Sequence, residues 1–385
     1  MYVTEFFLPW REPKLIKGEG SFADLPKKIK EEGITKVLIV TDKGLMKLNM
    51  LDPLFEALKS ENVSFKLYDD VIPNPTTENV EDALKLYKEG ECQAIIAVGG
   101  GSPMDCAKGV GARVARPKKT LRQMKGVLKV MKKLPKLFAV PTTSGTGSET
   151  TLAAVITDGD YKYAINDTAL IPYAAVLDPL LTVNLPPHVT STTGMDALCH
   201  AVEAYIGSEN TKATKKEARE AVVLIKNNLL RAYENGHDLR ARENMQNASY
   251  LAGLAFTRAY VGYVHAIAHS LGGKYHIPHG LANAVVMPYV FEAYGKKAWK
   301  KLAELADLIG VTNSGDSLEC KANKFIGWIK DMNAKMNIGD GFEEIREEDL
   351  DEMIAHAMKE GNPLYPVPKI MNKEEFRAIY KKLMR

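Results

Sequence analysis

Four short runs of aliphatic and β-branched residues punctuate the first half of the chain; each ends in a turn or loop, and after the first three a helical pattern follows. Lys36–Val40 closes on Thr41-Asp42-Lys43-Gly44, and residues 63–68 lead through Pro73-Asn74-Pro75-Thr76 into a helix over Thr77–Glu89. Residues 94–98 run into three glycines, and residues 137–140 run into Pro141-Thr142-Thr143-Ser144-Gly145-Thr146-Gly147-Ser148-Glu149. Strands that alternate with helices join one sheet through crossovers, so the pattern predicts a parallel sheet carrying helices. After Leu185-Pro186-Pro187 the apolar period becomes helical, over 189–207, 212–234 and 239–259, with a further segment around His265. The expected organisation is an α/β domain with a parallel sheet over 1–185 and an all-helical domain over 186–385. Asn372 with Glu375 three residues on is capping-box-like, predicting a C-terminal helix.

A length of 385 residues suits two domains of roughly 150 residues or more. With 51 basic against 48 acidic residues the net charge is +3, which argues against a nucleic-acid partner. The basic run 122–133, with Lys118-Lys119, reads as a solvated helix face rather than a phosphate patch. Cys92, Cys106, Cys199 and Cys320 form no CxxC pair, so reduced, structural thiols and a cytoplasmic location are expected. Glu5, Pro9, Trp10 and Arg11 interrupt the apolar run that a signal peptide needs, and no stretch reaches the ~18 apolar residues of a membrane span. Scarce glutamine beside abundant Lys and Glu leans towards a thermophilic source.

In open parallel sheets ligands sit outside the carboxyl ends of the strands. Gly99-Gly100-Gly101-Ser102-Pro103-Met104-Asp105 lies at such an end. Ser102 can cap the following helix, Pro103 suits its first position, and Asp105 can reach back as a capping carboxylate. The glycines admit a phosphate to free N–H groups at a helix N-terminus. The run is not a GxGxxG fingerprint, and a tight connection is its other reading. The hydroxyl-rich loop with Thr142 and Thr143 can line a pyrophosphate and ribose, or can be a plain surface loop. Asp42 closes the first strand, where a carboxylate accepts from a ribose diol and repels a 2′-phosphate, favouring NAD over NADP; as a turn residue it needs no ligand.

Six of the eight histidines fall between positions 200 and 279. Asp196 and His200 are four apart, as are His265 and His269, which on a helix sets each pair on one face a turn apart. His276 and His279 sit in a Pro/Gly turn, and His237 reads as a surface residue. A carboxylate with imidazoles is an N/O site for a divalent first-row ion such as Fe²⁺, Zn²⁺, Mn²⁺ or Co²⁺. Burying that many imidazoles without a partner is costly, which favours a metal.

Ala97-Val98-Gly99-Gly100-Gly101-Ser102, the Pro141–Glu149 run, Thr193-Gly194-Met195-Asp196-Ala197-Leu198-Cys199-His200 with Glu203-Ala204-Tyr205, His265-Ala266-Ile267-Ala268-His269, Pro278-His279-Gly280 and Asn362-Pro363-Leu364-Tyr365-Pro366 together resemble the iron-dependent (group III) alcohol dehydrogenase family along nearly the whole chain. The resemblance implies a dehydroquinate-synthase-like fold and a reversible hydride transfer between a primary alcohol or small diol and NAD(P). It implies Asp196, His200, His265 and His279 as ligands of Fe²⁺, or of Zn²⁺ where zinc occupies the site. His269 carries over as a group beside substrate and cofactor. Asp42, Asn74, Gly99, Gly100, Gly101, Ser102, Thr142, Thr143 and, on a less distinctive match, Lys162 carry over as dinucleotide contacts. Phe256 carries over to the substrate channel. The segment departs from the family's usual pattern at Arg258, Tyr260 and Tyr263, where the tyrosines either narrow that channel or pack between helices.

Three rivals stay open at this stage: a glycerol-dehydrogenase-like zinc enzyme, a dehydroquinate-synthase-like lyase, and a metallohydrolase with an unrelated glycine loop. No cluster of basic residues for a phosphate-bearing substrate accompanies the helical motifs, which counts against the lyase. The expected partners are a small alcohol or aldehyde and a second copy of the chain, with a homodimer the commonest assembly, and neither nucleic acid nor membrane.

Overall fold

Every residue of Lys36–Val40 after the first is buried, and Ala94–Gly99 is buried throughout. A strand covered on both faces belongs inside a parallel sheet with helices on each side. The computed structural model describes residues 10–159 and 161–385, so Glu5 and Pro9, on which part of the N-terminal reading rests, lie outside the described residues. The strands are β1 (Lys14–Lys17), β2 (Lys36–Val40), β3 (Ser64–Tyr68), β4 (Ala94–Gly99), β5 (Gly126–Val127), β6 (Lys136–Pro141), β7 (Ala153–Asp158), β8 (Tyr161–Asn166) and β9 (Ala174–Leu177). Among the described residues, β1, β9, β6, β4, β2 and β3 form one six-stranded sheet in that order, with all pairs parallel. From β2 the chain goes to β3 on one side and then to β4 on the other. The order therefore reverses between β2 and β4, where a crevice opens at the strands' carboxyl ends.

Among the described residues, five helices accompany this sheet: α1 (Ser21–Glu31), α2 (Lys43–Lys47), α3 (Asp52–Ser60), α4 (Thr77–Glu89) and α5 (Gly101–Ala115). One apolar cluster, with Leu25, Ile29, Leu54 and Leu58, covers one side of the sheet, and another, with Val80, Leu84, Met104 and Val110, covers the other. Strands β5, β8 and β7 make a second, three-stranded sheet that includes an antiparallel hairpin. The basic run 122–133 is exposed at most positions but is not a helix. It holds a short 3₁₀ turn and β5, broken by Gly126 at φ +94°.

One compact unit ends at Val183 and the next begins at Asn184. The second is helical: α6 (Pro187–Ile206), α7 (Lys212–Glu234), α8 (Leu239–Ala259), α9 (Tyr263–Tyr275), α10 (His279–Tyr294), α11 (Lys296–Leu308), α12 (Leu318–Lys335), α13 (Leu350–Gly361) and α14 (Lys373–Leu383). From Gly194 to Ile206 helix α6 is buried at every position and packs on α7, α8 and α10, the central rod of this unit. The capping box at Asn372 and Glu375 forms, as does another at Thr211 and Thr214. No described helix is long and apolar enough to cross a membrane. The four cysteines are free: Cys92, Cys106 and Cys199 are buried and Cys320 is partly exposed.

Candidate functional site

Helix α6 carries Asp196, His200 and Glu203 at spacings of four and three, which aligns them on one face. Helix α9 carries His265 and His269 one turn apart. His279 is the first residue of α10 and Asn283 lies a turn further on. Gly280 sets the distance between α10 and α6, because a Cβ there would stand 2.6 Å from the Thr192 carbonyl oxygen. The result is a cluster in which one ligand atom each from Asp196, His200, His265 and His279 lies within 4.8 Å of the others. Asp196 Oδ1 is 3.9 Å from His265 Nε2 and 3.5 Å from His279 Nε2. Four donors arranged tetrahedrally about 2.1 Å from a first-row cation stand about 3.4 Å apart, so these spacings suit such an ion.

The protonation chemistry fits as well. Metal-ligating imidazoles must be neutral, and burial followed by neighbouring charge pushes His265 well below its ordinary value. Burial also pushes His279 down, against the opposing pull of Asp196 and with the other imidazoles adding to the fall, although its side chain keeps two-fifths of its surface exposed. Burial works to raise the Asp196 carboxyl, but His200, His279, His265 and the Asn283 amide outweigh it and leave it below the usual range. Asn283 Nδ2 donates to Asp196 Oδ1 (2.7 Å) and also stands 3.2 and 3.1 Å from His265 Nε2 and His279 Nε2. Two amide protons face three acceptors there. His200 Nδ1 and Asn283 Oδ1 are buried without a hydrogen-bond partner. A cation would resolve that crowding of lone pairs.

Glu203 is a site residue that the motifs alone do not assign, and its place seven residues after Asp196 on the same helix face is the signal that marks it. Its Oε2 accepts from the Gly262 N–H (2.8 Å) and lies 2.6 Å from His265 Nδ1, while Oε1 accepts from the Val264 N–H (2.9 Å). A carboxylate on Nδ1 fixes the His265 tautomer and turns Nε2 towards Asp196. Burial pushes the Glu203 carboxyl up to about 7, against the pull of those backbone N–H groups. Glu203→Gln is expected to weaken metal affinity about 10–100-fold, read as metal retained after dialysis against a graded chelator. Unchanged retention would remove Glu203 from the site.

The remaining sequence-derived positions divide clearly. His269 is not in the four-donor cluster. Its ring stacks on His279 (centroids 5.1 Å apart, 20° between planes) and its Nδ1 lies 2.6 Å from Glu360 Oε1. Phe256 stacks on His200, with centroids 4.1 Å apart and 13° between planes. Tyr263 is fully buried, edge-on to Phe376, with its hydroxyl donating to Asn362 Oδ1, so it packs between helices. Arg258 pairs with Glu217, and Tyr260 ends α8 at φ +63°. His276 is exposed in a left-handed C-cap, and His237 is also exposed; neither joins the cluster.

In the first unit, Asp42, Gly100, Gly101 and Ser102 line a cleft of about 510 Å³ together with Asp69, Asp70 and Ile72. The β2–β4 register (Val40 opposite Ala97), continued by two residues, sets Asp42 level with Gly99 at the switch point. Asp42 Oδ1 accepts from Leu45 N as the N-cap of α2. Gly99 has φ +147°, and a Cβ there would stand 2.5 Å from Pro103, so only glycine suits this turn. Ser102 and Asp105 do not cap α5, whose N-cap is Gly100 without a side-chain bond. The Ser102 hydroxyl instead accepts from Asn74 N (3.2 Å), and the partly buried Asp105 carboxylate accepts from Ser148 Oγ (3.2 Å) and Val155 N (3.1 Å). Lys162 Nζ donates to Asn74 Oδ1 (2.8 Å), which brings Asn74, Ser102 and Lys162 together. Thr142 is buried, with its N–H on the Gly99 carbonyl (3.1 Å), and a Cβ on Gly100 would stand 3.5 Å from Thr143 Oγ1.

Comparison with known proteins gives consistent matches. Residues 12–179 match the family described as iron-containing alcohol dehydrogenase, and residues 190–384 match the C-terminal part of the Fe-containing alcohol dehydrogenase family. The chain is 39% identical over 355 residues to a 1,3-propanediol dehydrogenase of Klebsiella pneumoniae, covering 91% of each. It is 35% identical over 364 residues to an NAD-dependent methanol dehydrogenase of Bacillus methanolicus, covering 93% of this chain and 94% of that one. A crystal structure of a 1,3-propanediol oxidoreductase superposes with a TM-score of 0.94 at 36% identity, covering 98% of this chain and 100% of that one.

Proposed function

The chain belongs to the iron-containing alcohol dehydrogenase family and is an NAD(P)-dependent alcohol dehydrogenase, and on that premise we propose that it interconverts a primary alcohol or small diol with its aldehyde, using Fe²⁺ and preferring NAD. The observation that carries the reading is the convergence of one carboxylate and three imidazole donors within 4.8 Å. Asp196, His200, His265 and His279 would hold the ion, which as a Lewis acid lowers the pKa of the alcohol and favours its alkoxide. The other steps fall to the chain's own residues. Asp196 supplies the negative charge that retains a cation, and Glu203 keeps the His265 lone pair directed at it. Phe256, flat against His200, offers an apolar wall to the substrate's carbon chain. His269 takes the hydroxyl proton and passes it on. Similarity to the propanediol and methanol dehydrogenases supports short primary alcohols and diols as substrates.

In the first unit the N–H groups at the start of α5 bind the pyrophosphate, while Asp42 accepts from the adenine-side ribose. The cleft holds Asp42, Asp69 and Asp70, and Lys43, which also lines it, is paired with Asp70. A 2′-phosphate there would face three carboxylates with the ammonium already committed, which supports NAD over NADP. Asp42→Gly is expected to raise kcat/KM for NADP about 10–100-fold, since like-charge apposition costs several kcal/mol, while lowering it for NAD. An unchanged NADP/NAD ratio would remove Asp42 from cofactor choice. Buried free thiols at Cys92, Cys106 and Cys199 accord with a reducing, cytoplasmic setting, and we propose a homodimer, read by analytical ultracentrifugation.

The deciding experiment strips the protein with chelator and reloads it anaerobically with Fe²⁺ or Zn²⁺. NAD(P)H absorbance is then followed with primary alcohols and diols. Absorbance rising only after metal return, and more with NAD, is the expected result. Folded, reloaded protein that gives no signal with any pairing would overturn the substrate and cofactor reading.

A further inference from the structure

Helix α9 presents two imidazoles one turn apart, and each has its Nδ1 on a glutamate. His265 has Glu203, and His269 has Glu360. The first pair belongs to the four-donor cluster. The second lies outside it, and nothing in the metal-ligand chemistry calls for it. Glu360 is also out of place for its own helix. It is the penultimate residue of α13, where the dipole favours cations and disfavours a carboxylate. What holds it there is a pair of donors on a single oxygen, since His269 Nδ1 and the Tyr365 hydroxyl each lie 2.6 Å from Glu360 Oε1. Tyr365 is fixed in turn, because its N–H donates to the Gly361 carbonyl (2.8 Å) and its carbonyl accepts from Val367 N (2.9 Å). Rotating the carboxylate away would break both bonds. An ionised carboxylate only accepts, so the proton between Glu360 and His269 sits on Nδ1.

We propose that Glu360, clamped by Tyr365, is a positioning residue that holds His269 as the Nδ1–H tautomer, so that Nε2 is the basic atom available for proton transfer. The inference rests on the reading above that His269 moves the substrate's proton. It concerns a different residue and a different observable. Burial would raise the Glu360 carboxyl, but His269 and Tyr365 together leave it below its ordinary range, consistent with an ionised acceptor. A carboxylate that fixes the tautomer of a working imidazole without itself exchanging the proton is a recurrent arrangement in catalysis.

The test uses the full chain loaded with Zn²⁺ and labelled with ¹⁵N at histidine, with the His269 signals identified by their loss in His269→Asn. Long-range ¹H–¹⁵N correlation should show the Nδ1–H tautomer in the parent protein. Glu360→Leu should shift His269 towards Nε2–H, and Glu360→Gln, whose amide oxygen still accepts, should restore Nδ1–H. Should Glu360→Leu fail to fold, the parent and Gln spectra still decide the point. In steady state, Glu360→Leu should lower kcat about 10²-fold, the low end of general acid–base contributions, with metal content and KM for alcohol unchanged. In a His269→Ala background the same change should cost little more, because the two act as a unit. An Nε2–H parent tautomer, or an equal loss in both backgrounds, overturns the proposal. The predicted tautomer change together with undiminished turnover in both Glu360→Leu and His269→Ala would support the clamp and overturn the reading of His269.

Discussion

His265→Ala is expected to leave a folded protein that binds Fe²⁺ or Zn²⁺ about 10²-fold more weakly or worse and oxidises alcohol about 10³-fold more slowly, equivalent to about 4 kcal/mol of barrier. His265 lies at the centre of the cluster. Its Nε2 is 3.9 Å from Asp196 Oδ1, and its ring stands against His200 and His279, with centroids 4.6 and 5.4 Å away. Truncation removes one of four donors and opens a gap between the other two imidazoles, so no neighbour can substitute for it. Folding should survive because Glu203 keeps its two backbone donors, Gly262 N and Val264 N. His269→Ala one turn away is the control. It removes a ring outside the donor set, so metal retention should stay at the parent level while turnover falls. Metal content after dialysis, measured beside NADH formation, separates the two. A His265→Ala protein that retained metal with parental affinity would end the ligand assignment.

The cluster was legible because helical periodicity is a local property. Asp196 with His200 and His265 with His269 sit four apart, and a four-residue step on a helix is one turn, so each pair shares a face whatever the tertiary structure does. What spacing could not supply was which faces meet. Glu203 reaches His265, Asn283 reaches Asp196 and His265, and Glu360 reaches His269 from three different helices, and these contacts depend on packing such as the close approach that Gly280 permits. Of these, Glu203 and Asn283 carried a local clue, in their helical spacing from Asp196 and His279. His276 shows the converse case, since its spacing from His279 resembled a ligand pair, yet a left-handed turn directs it to solvent.

In the sheet, the buried strands were plain from their unbroken apolar runs, whereas β1, β9 and the β7–β8 hairpin were missed. Strand β9 is only Ala174–Leu177, too short to announce itself. The hairpin's alternation was there to be read, flanking an Asp158-Gly159 turn signal. The turn after β4 was misjudged in its details because hydroxyl and carboxylate residues at a helix start have more than one use. Ser102 receives Asn74, and Asp105 is drawn inward by Lys108 and the Ser148 hydroxyl. Local capping rules describe an isolated helix end, and here the Asn74 backbone N–H, the Ser148 hydroxyl and the Val155 N–H competed successfully for the same groups.

That competition leads to the other large effect. Lys108→Met is expected to destabilise the first unit by about 3–5 kcal/mol, the cost of breaking a buried charge network by removing one partner, or roughly 10 °C in melting temperature for a unit of this size. Lys108 is fully buried, and its three ammonium protons are shared among four acceptors, Ser148 O (2.8 Å), Ser148 Oγ (3.1 Å), Thr151 Oγ1 (2.7 Å) and Ala153 O (2.8 Å). Burial pulls its pKa down to about 8, opposed by the carboxylates of Asp105 and Glu149. Burial likewise raises those two carboxyls, Glu149 to about 7. Methionine preserves much of the stem volume but leaves two carbonyls and two acids without their cation. The triple variant with Asp105→Asn and Glu149→Gln should recover part of the loss, because the charges are then removed together. The same ammonium ties α5, with its phosphate-facing N-terminus, to the loop that follows Thr142 and Thr143. Lys108→Met should therefore raise KM for NAD, while metal retention in the second unit stays at the parental level. Calorimetry of the metal-free protein gives the stability change and dinucleotide titration gives the binding change. A parental melting temperature in the single variant would mean that this buried cation contributes no net stability to the loop, and that the loop is held by its backbone turns alone.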